Sequence, residues 1–234
     1  MLNFSRVARL KGEFEAEGLT RDTLAGEVAF AARHGVGYLV KIGGCEAKAD
    51  IRFLQQIGVR DVVAPMIESG FAMAKYMAML PEGAFDHVGV TVETRHAVER
   101  IEDLLDGGTK LTEVTIGRTD LTASFGGNGV ENEETMSMVK TVARAAAKRG
   151  LPTTMGGSVS AATRAMLRED GELRGLITAV ETRKCVMTVD HFLEDEALAD
   201  AFAIETALLE MQAQHHGAIA RATDQRLAQI RARM

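Results

Sequence analysis

A closed α/β barrel of the TIM (β/α)8 type, with its first strand short or missing and a long C-terminal helix, is the fold class that three features of this 234-residue chain predict. Short segments rich in Val, Ile and Leu recur, each followed by a longer stretch with helical apolar spacing, at a period of roughly 25–35 residues. Strands that alternate with helices require a parallel sheet covered on both faces. Seven or eight such units suit a closed barrel better than an open sheet, although about 250 residues is the usual length.

The strands read in order as "VARLKGEF" (Val7–Phe14), "GYLVKIG" (Gly37–Gly43), "DVVAPMIE" (Asp61–Glu68), "HVGVTVET" (His87–Thr94), "TEVTIGR" (Thr112–Arg118), "LPTTMGG" (Leu151–Gly157) and "GLITAVET" (Gly175–Thr182). Between them lie helical patterns such as "RDTLAGEVAFAARHG", "AKADIRFLQQIG", "RHAVERIEDLLDGG" and "ETMSMVKTVARAAAKRG", which end in Gly as a C-cap does. "MLNFS" supplies at most a stub of strand, so closure by something other than a full strand is expected. The barrel is assigned to residues 1–192 and a helical tail to residues 193–234. With no later strand to cover, the tail is expected to pack on a neighbouring subunit and make the protein a homo-oligomer.

A net charge of −6 with few, scattered aromatics argues against a nucleic-acid partner. No apolar run approaches the ~20 residues of a membrane helix, and no signal-like segment is visible at the N-terminus, so a cytoplasmic protein is expected. Cys45 and Cys185 sit in no CxxC or Cys/His cluster, which suggests reduced thiols and no zinc site.

Chemistry in a parallel barrel gathers at the carboxyl ends of its strands. Those ends carry Glu13, Lys41, Glu68, Glu93, Arg118 with Asp120, Gly156 with Gly157, and Glu181 with Arg183. Glu93 and Asp120 end consecutive strands ~4.8 Å apart and are placed to share one Mg2+ or Mn2+ ion, for which oxygen donors are suited. The alternative is that each merely caps the helix that follows it. Two glycine pairs, Gly43–Gly44 and Gly156–Gly157, lie between a strand end and a helix start, where backbone N–H groups meet anions or simply make a tight turn. Ser158 tilts the second pair toward a ligand. Lys41, Arg118 and Arg183, with Gly117 and Thr119, complete the candidate anion site, although each cation also suits a neighbouring carboxylate.

At these spacings "LKGEFEAEG", "VKIGG", "VAPMIES", "VTVETR" and "IGRTDLTASFG" resemble the HpcH/HpaI aldolase and citrate lyase family over about Val7 to Met187. The resemblance implies Glu93 and Asp120 as ligands of a divalent metal that chelates a 2-oxo acid such as pyruvate and stabilises its enolate without a Schiff base. It also implies trimers or hexamers that exchange the last helix. Three positions depart from the family's pattern: Phe14 stands in place of a histidine, Gln56 in place of its aspartate partner, and Lys41 in place of an arginine. The proton-transfer candidates are then Glu13 and Glu46. The sequence reading is a metal-dependent carbon–carbon lyase of the class II aldolase kind acting on a small anionic 2-oxo acid or related carboxylate. Its alternatives are an acyl-CoA lyase of the citrate lyase type and a catalytically degenerate barrel that binds an anionic metabolite.

Overall fold

A computed structural model describes residues 2–231. Eight strands close into one barrel in sequence order: β1 (Arg9–Glu13), β2 (Gly37–Lys41), β3 (Asp61–Ala64), β4 (His87–Val92), β5 (Glu113–Gly117), β6 (Thr153–Gly156), β7 (Ala179–Glu181) and β8 (Cys185–Thr188). The helices are α1 (Arg21–Arg33), α2 (Lys48–Gln56), α3 (Gly70–Met79), α4 (Arg95–Glu99), α5 (Ile101–Asp106), α6 (Arg118–Ala123), α7 (Glu133–Ala147), α8 (Ala161–Glu169), α9 (Gly171–Leu176), α10 (Val189–Phe192) and α11 (Ala197–Arg231). Side chains that cap the helices were written into the loops: Thr20, Ser69, Thr94 and Asn132 accept from the first turns of α1, α3, α4 and α7. No helix among the described residues is long and apolar enough to cross a membrane.

The seven strands read from sequence correspond to β1–β7, and the eighth completes the barrel in an unusual way. β1 is a full five-residue strand inside "VARLKGEF", so the irregular closure lies at the other end of the barrel. β8 turns back from β7 as a hairpin and pairs antiparallel with both β7 and β1. A hairpin needs no crossover helix, which is how a chain of 234 residues closes eight strands. "GLITAVET" is a strand only over its last part, because Gly175 and Leu176 belong to α9.

Strand residues two apart share a face, and on β1 that periodicity puts Arg9, Lys11 and Glu13 on one side. Arg9 and Lys11 find partners on β3, β5 and β7, none of them a neighbour of β1 in the sheet, so this side is the lumen. At the amino end Arg9 makes a paired contact with Glu113 of β5 at 3.0 and 2.6 Å and reaches Asp61 of β3 at 3.3 Å. Above this triad Leu39, Val63 and Val186 form a thin apolar layer. Lys11 and Glu13 lie above it, at the mouth. The large apolar core fills the space between the outer face of the sheet and the helices, with Val62, Val90, Val114 and Met155 meeting Leu24, Leu54, Leu104 and Val142.

The first part of the last helix packs on its own barrel, through Ala197, Ala201, Ile204 and Leu208. Gln212 adds a hydrogen bond to the buried Glu27 of α1 at 2.5 Å. Beyond it every described residue except Gly217 is exposed, including Ile219, Leu227 and Ile230. The barrel thus covers the first part of the helix and leaves the rest of its described residues uncovered.

The floor triad predicts a measurable stability loss. Arg9→Met strands two largely buried carboxylates and should cost about 3 kcal/mol or more in denaturant unfolding. The double variant Arg9→Met/Glu113→Gln should recover part of that loss, and equal losses in both would remove the ion pair as the cause.

Candidate active site

A cavity of ≈ 450 Å³ opens at the carboxyl ends of the strands. Glu93, just past the end of β4, is buried at its wall. Its Oε1 accepts the Met66 N–H at 3.1 Å and its Oε2 accepts from Lys41 Nζ, also at 3.1 Å. Met66 holds a left-handed φ of 51° while making that bond, a conformation that costs a side-chain-bearing residue energy and collects at functional sites. Burial raises the Glu93 carboxyl above its usual range; Lys41 and the Met66 N–H oppose the shift, and the nearby Asp120 adds to it.

Asp120 lies three residues beyond β5, in the first turn of α6, rather than at the strand end itself. It is exposed to the cavity, and no hydrogen bond or ion pair to its carboxylate forms among the described residues. Neither carboxylate caps a helix. The cap of α4 is Thr94, whose hydroxyl accepts from Ala97 N at 3.2 Å, and the cap position of α6 is Gly117, with no side-chain bond. A Cβ on Gly117 would sit 2.9 Å from Glu93 Oε2, so glycine there leaves room for the carboxylate.

On the other side of the mouth Lys11 Nζ joins Glu13 Oε1 at 2.5 Å and also contacts Glu181 Oε1. Glu13 Oε2 lies 3.9 Å from Lys41 Nζ. Burial would raise the Glu13 carboxyl, but Lys11 and Lys41 reverse that and hold it below its usual range. For Lys11 burial opposes the charge, and Glu181 and Glu13 outweigh it and keep the ammonium protonated.

Of the residues singled out from sequence, Glu13, Lys41, Glu93, Gly117, Thr119, Asp120, Gly157, Ser158, Glu181 and Arg183 line this cavity. Thr119 and Ser158 share a hydroxyl contact of 3.1 Å at its rim. Gly156 lies just behind, its missing Cβ 3.2 Å from Glu181 Oε1. The rest are elsewhere. Arg118 is fully buried behind the wall, where it donates to the carbonyls of Gly156 and Gly157 at 3.0 and 2.8 Å and to the Thr163 hydroxyl at 3.1 Å. Burial lowers its pKa to about 10 against the pull of Glu131. It staples the β6–α8 turn and does not face the cavity. Glu46 is exposed and pairs with Lys75 at 3.1 Å. The first glycine pair, Gly43–Gly44, also stays outside: the Gly43 N–H is taken at 3.0 Å by the carboxylate of Asp50, an anion the chain itself supplies.

The cavity residues that the sequence reading does not single out include Lys11, Thr91, Phe202 and Glu205. Lys11 and Thr91 lie two residues before Glu13 and Glu93, so the two-residue strand period was the available signal. Phe202 and Glu205 come from α11, whose path back over the mouth has no local signature.

The donor set suits a hard divalent cation. Five carboxylates at the mouth (Glu13, Glu93, Asp120, Glu181, Glu205) face three cations (Lys11, Lys41, Arg183), an excess of two negative charges. Asp120 carries an unpaired one. Two carboxylate ligands leave the remaining octahedral positions to water or substrate, as Mg2+ and Mn2+ sites commonly do; no third His, Cys, Asp or Glu joins them among the described residues.

Fold and site together define a parallel-type barrel with a carboxylate-rich mouth. The chain shares this fold with solved structures of the HpcH/HpaI aldolase and citrate lyase family. An HpcH/HpaI aldolase from Desulfitobacterium hafniense DCB-2 matches at TM-score 0.62 and 17% identity, over 87% of this chain and 83% of the other. An HpcH/HpaI aldolase/citrate lyase family protein from Burkholderia cenocepacia J2315 matches at TM-score 0.63 and 17% identity, over 88% and 86%. The citrate synthase SbnG matches at TM-score 0.59 and 15% identity, over 88% and 84%. No family model matches the sequence, and no curated protein matches it significantly. At such identities the likeness establishes the fold.

The turn that Arg118 staples yields a prediction. Gly157 has φ 85°, and a Cβ there would lie 2.5 Å from the Thr119 backbone nitrogen. Gly157→Ala should destabilise the protein by about 1–3 kcal/mol in chemical denaturation, and an unchanged midpoint would show that the turn relaxes freely.

Proposed function

We propose that this protein is a metal-dependent carbon–carbon lyase acting on a small 2-oxo acid such as pyruvate. The observation that carries the reading is the unpaired Asp120 beside the buried Glu93 in a cavity with two excess negative charges. Glu93 and Asp120 would hold Mg2+ or Mn2+. When bound, such an ion supplies Lewis-acid polarisation of a 2-oxo acid's oxygens.

The other steps belong to the chain's own residues. Lys41, beside Glu93, offers its ammonium to the substrate's negative oxygen, and Arg183 at the rim offers donors to a second anionic group. Thr119 and Ser158 present hydroxyls to the same space. Phe202 and Val159 add apolar surface to the lining. Of the two proton-transfer candidates, Glu13 alone faces the cavity, and its depressed carboxyl, held by two lysines, makes it a weak base. That observation favours a second reading, an anion-binding barrel that turns over slowly or not at all. The cavity volume suits a small carboxylate better than an acyl-CoA.

Assembly is part of the proposal. We assign residues 1–192 to the barrel and 193–234 to the tail, and infer a homo-oligomer, a trimer or hexamer, formed through the exposed end of α11. A helix of 35 residues is ~50 Å long at 1.5 Å per residue, and only its first half is covered by this barrel.

Three measurements test these statements. Pyruvate should take up solvent deuterium with Mn2+ or Mg2+ present and not without; absence of exchange with either ion would leave the anion-binding reading. Glu93→Gln and Asp120→Asn should each weaken Mn2+ binding about tenfold or more in calorimetry, whereas unchanged affinity in both would remove the metal site. Light scattering should report an oligomer for the full chain and smaller species for a chain ending at His215. A monomer in both cases would defeat the assembly claim.

A further inference from the structure

A chain of alternating charges crosses the mouth and ends on Glu93. Glu181 contacts Lys11, Lys11 Nζ lies 2.5 Å from Glu13 Oε1, Glu13 Oε2 lies 3.9 Å from Lys41 Nζ, and Lys41 Nζ lies 3.1 Å from Glu93 Oε2. The two Lys41 distances are unequal, and the inequality has a cause. Glu13 is the register partner of Lys41 on adjacent strands and would be its natural ion-pair partner. Lys11 claims Glu13 instead.

Resting on the reading of Lys41 as the cation that meets the substrate, we propose that Lys11 is a positioning residue: it holds Glu13 back and leaves Lys41 leaning on Glu93, where an anionic ligand reaches it. Lys11 is itself held from the far side by Glu181, which is buried and whose second oxygen, Oε2, has no hydrogen-bond partner. Glu181 therefore spends its charge on Lys11 alone. Both lysine side chains are largely buried, Lys11 at 8% and Lys41 at 14% exposure, so neither ion pair is much weakened by solvent. Without Lys11, the attraction between Glu13 and Lys41 is unopposed and closes their gap. Lys41 then turns away from Glu93.

This role separates from the metal ligands and from turnover in the following experiment. Lys11→Met alone strands two buried carboxylates and risks the fold, so the decisive variant is Lys11→Met/Glu181→Gln, which removes one charge of each sign. The probes are Mn2+ and then oxalate, a planar dianion, titrated calorimetrically into the Mn2+-loaded protein, together with pyruvate deuterium exchange. In the double variant oxalate should bind about tenfold more weakly, the loss of a charge-assisted contact. Mn2+ affinity should stay within about threefold, and the pyruvate KM should rise more than kcat falls, as for lost uniform binding. Lys11→Arg, which keeps the charge between the two carboxylates, should restore most of the oxalate affinity.

Unchanged oxalate affinity in the double variant overturns the proposal, as does a loss of Mn2+ affinity as large as the loss for oxalate. Oxalate binding that weakens in the double variant, in a protein that exchanges no pyruvate, removes the lyase reading and keeps the positioning role. Wild-type protein that does not bind oxalate overturns both.

Discussion

Charge balance inside the barrel is the constraint on which the rest of this structure depends. Barrels of this kind usually fill their lumen with layers of branched apolar side chains. Here β1 sends Arg9, Lys11 and Glu13 inward at successive layers, and only a thin layer around Leu39, Val63 and Val186 separates floor from mouth. A charge taken out of water costs several kcal/mol unless it is paired with good geometry. Each inward charge is accordingly answered: Arg9 by Glu113 and Asp61, Lys11 by Glu181 of β7 and by Glu13 of its own strand, Lys41 by Glu93. The fold thus couples strands that are distant in sequence through ion pairs, and a substitution at one is felt at its partner.

The same constraint explains which way the mouth leans. Its carboxylates exceed its cations, so the mouth keeps a net negative charge beside Glu93 and Asp120. Glu93 shows the strain of that arrangement: burial pushes its carboxyl up, and Lys41 with the Met66 N–H pulls it back. Lys41 can divide itself between Glu13 and Glu93 because an ammonium on a flexible stem has no fixed fork. A guanidinium at this position would commit to one planar, two-pronged contact. Arg118 illustrates the contrast, since its fork is spent on the carbonyls of Gly156 and Gly157 and stays out of the cavity. Counting cations near strand ends therefore overstates how many face the ligand.

What could be read from the sequence follows from the range of each interaction. The βα period, the helix caps and the strand ends are local, and they located seven strands along with Glu93, Lys41 and Glu13. The alternation of Arg9, Lys11 and Glu13 is equally local, but alternation alone does not say which face of a strand turns into the lumen. Glu46 and Arg118 were misleading for a different reason. Both sit next to strand ends in sequence, but the direction of a side chain leaving a loop is set by what packs behind it: Lys75 for Glu46, and the β6–α8 turn for Arg118. The cavity residues of α11 were out of reach altogether, since no local pattern says where a terminal helix will lie.

The last strand and the last helix show how closure and site composition are linked. Because β8 returns antiparallel from β7, the segment "TRK" between them becomes a tight connection, placing Thr182 and Arg183 at the mouth and Lys184 behind it. Lys184 is buried against Glu17 and Glu27, and Glu27 in turn holds Gln212 of α11. The hairpin that completes the sheet therefore also anchors the helix that brings Phe202 and Glu205 over the cavity. A regular eighth βα unit would put a crossover helix between β7 and β8 and leave no such tie. The wall of the cavity opposite Glu93 is in this sense a product of the irregular closure, and its residues can change with the terminal helix while the carboxylate pair on β4 and α6 stays where the barrel holds it.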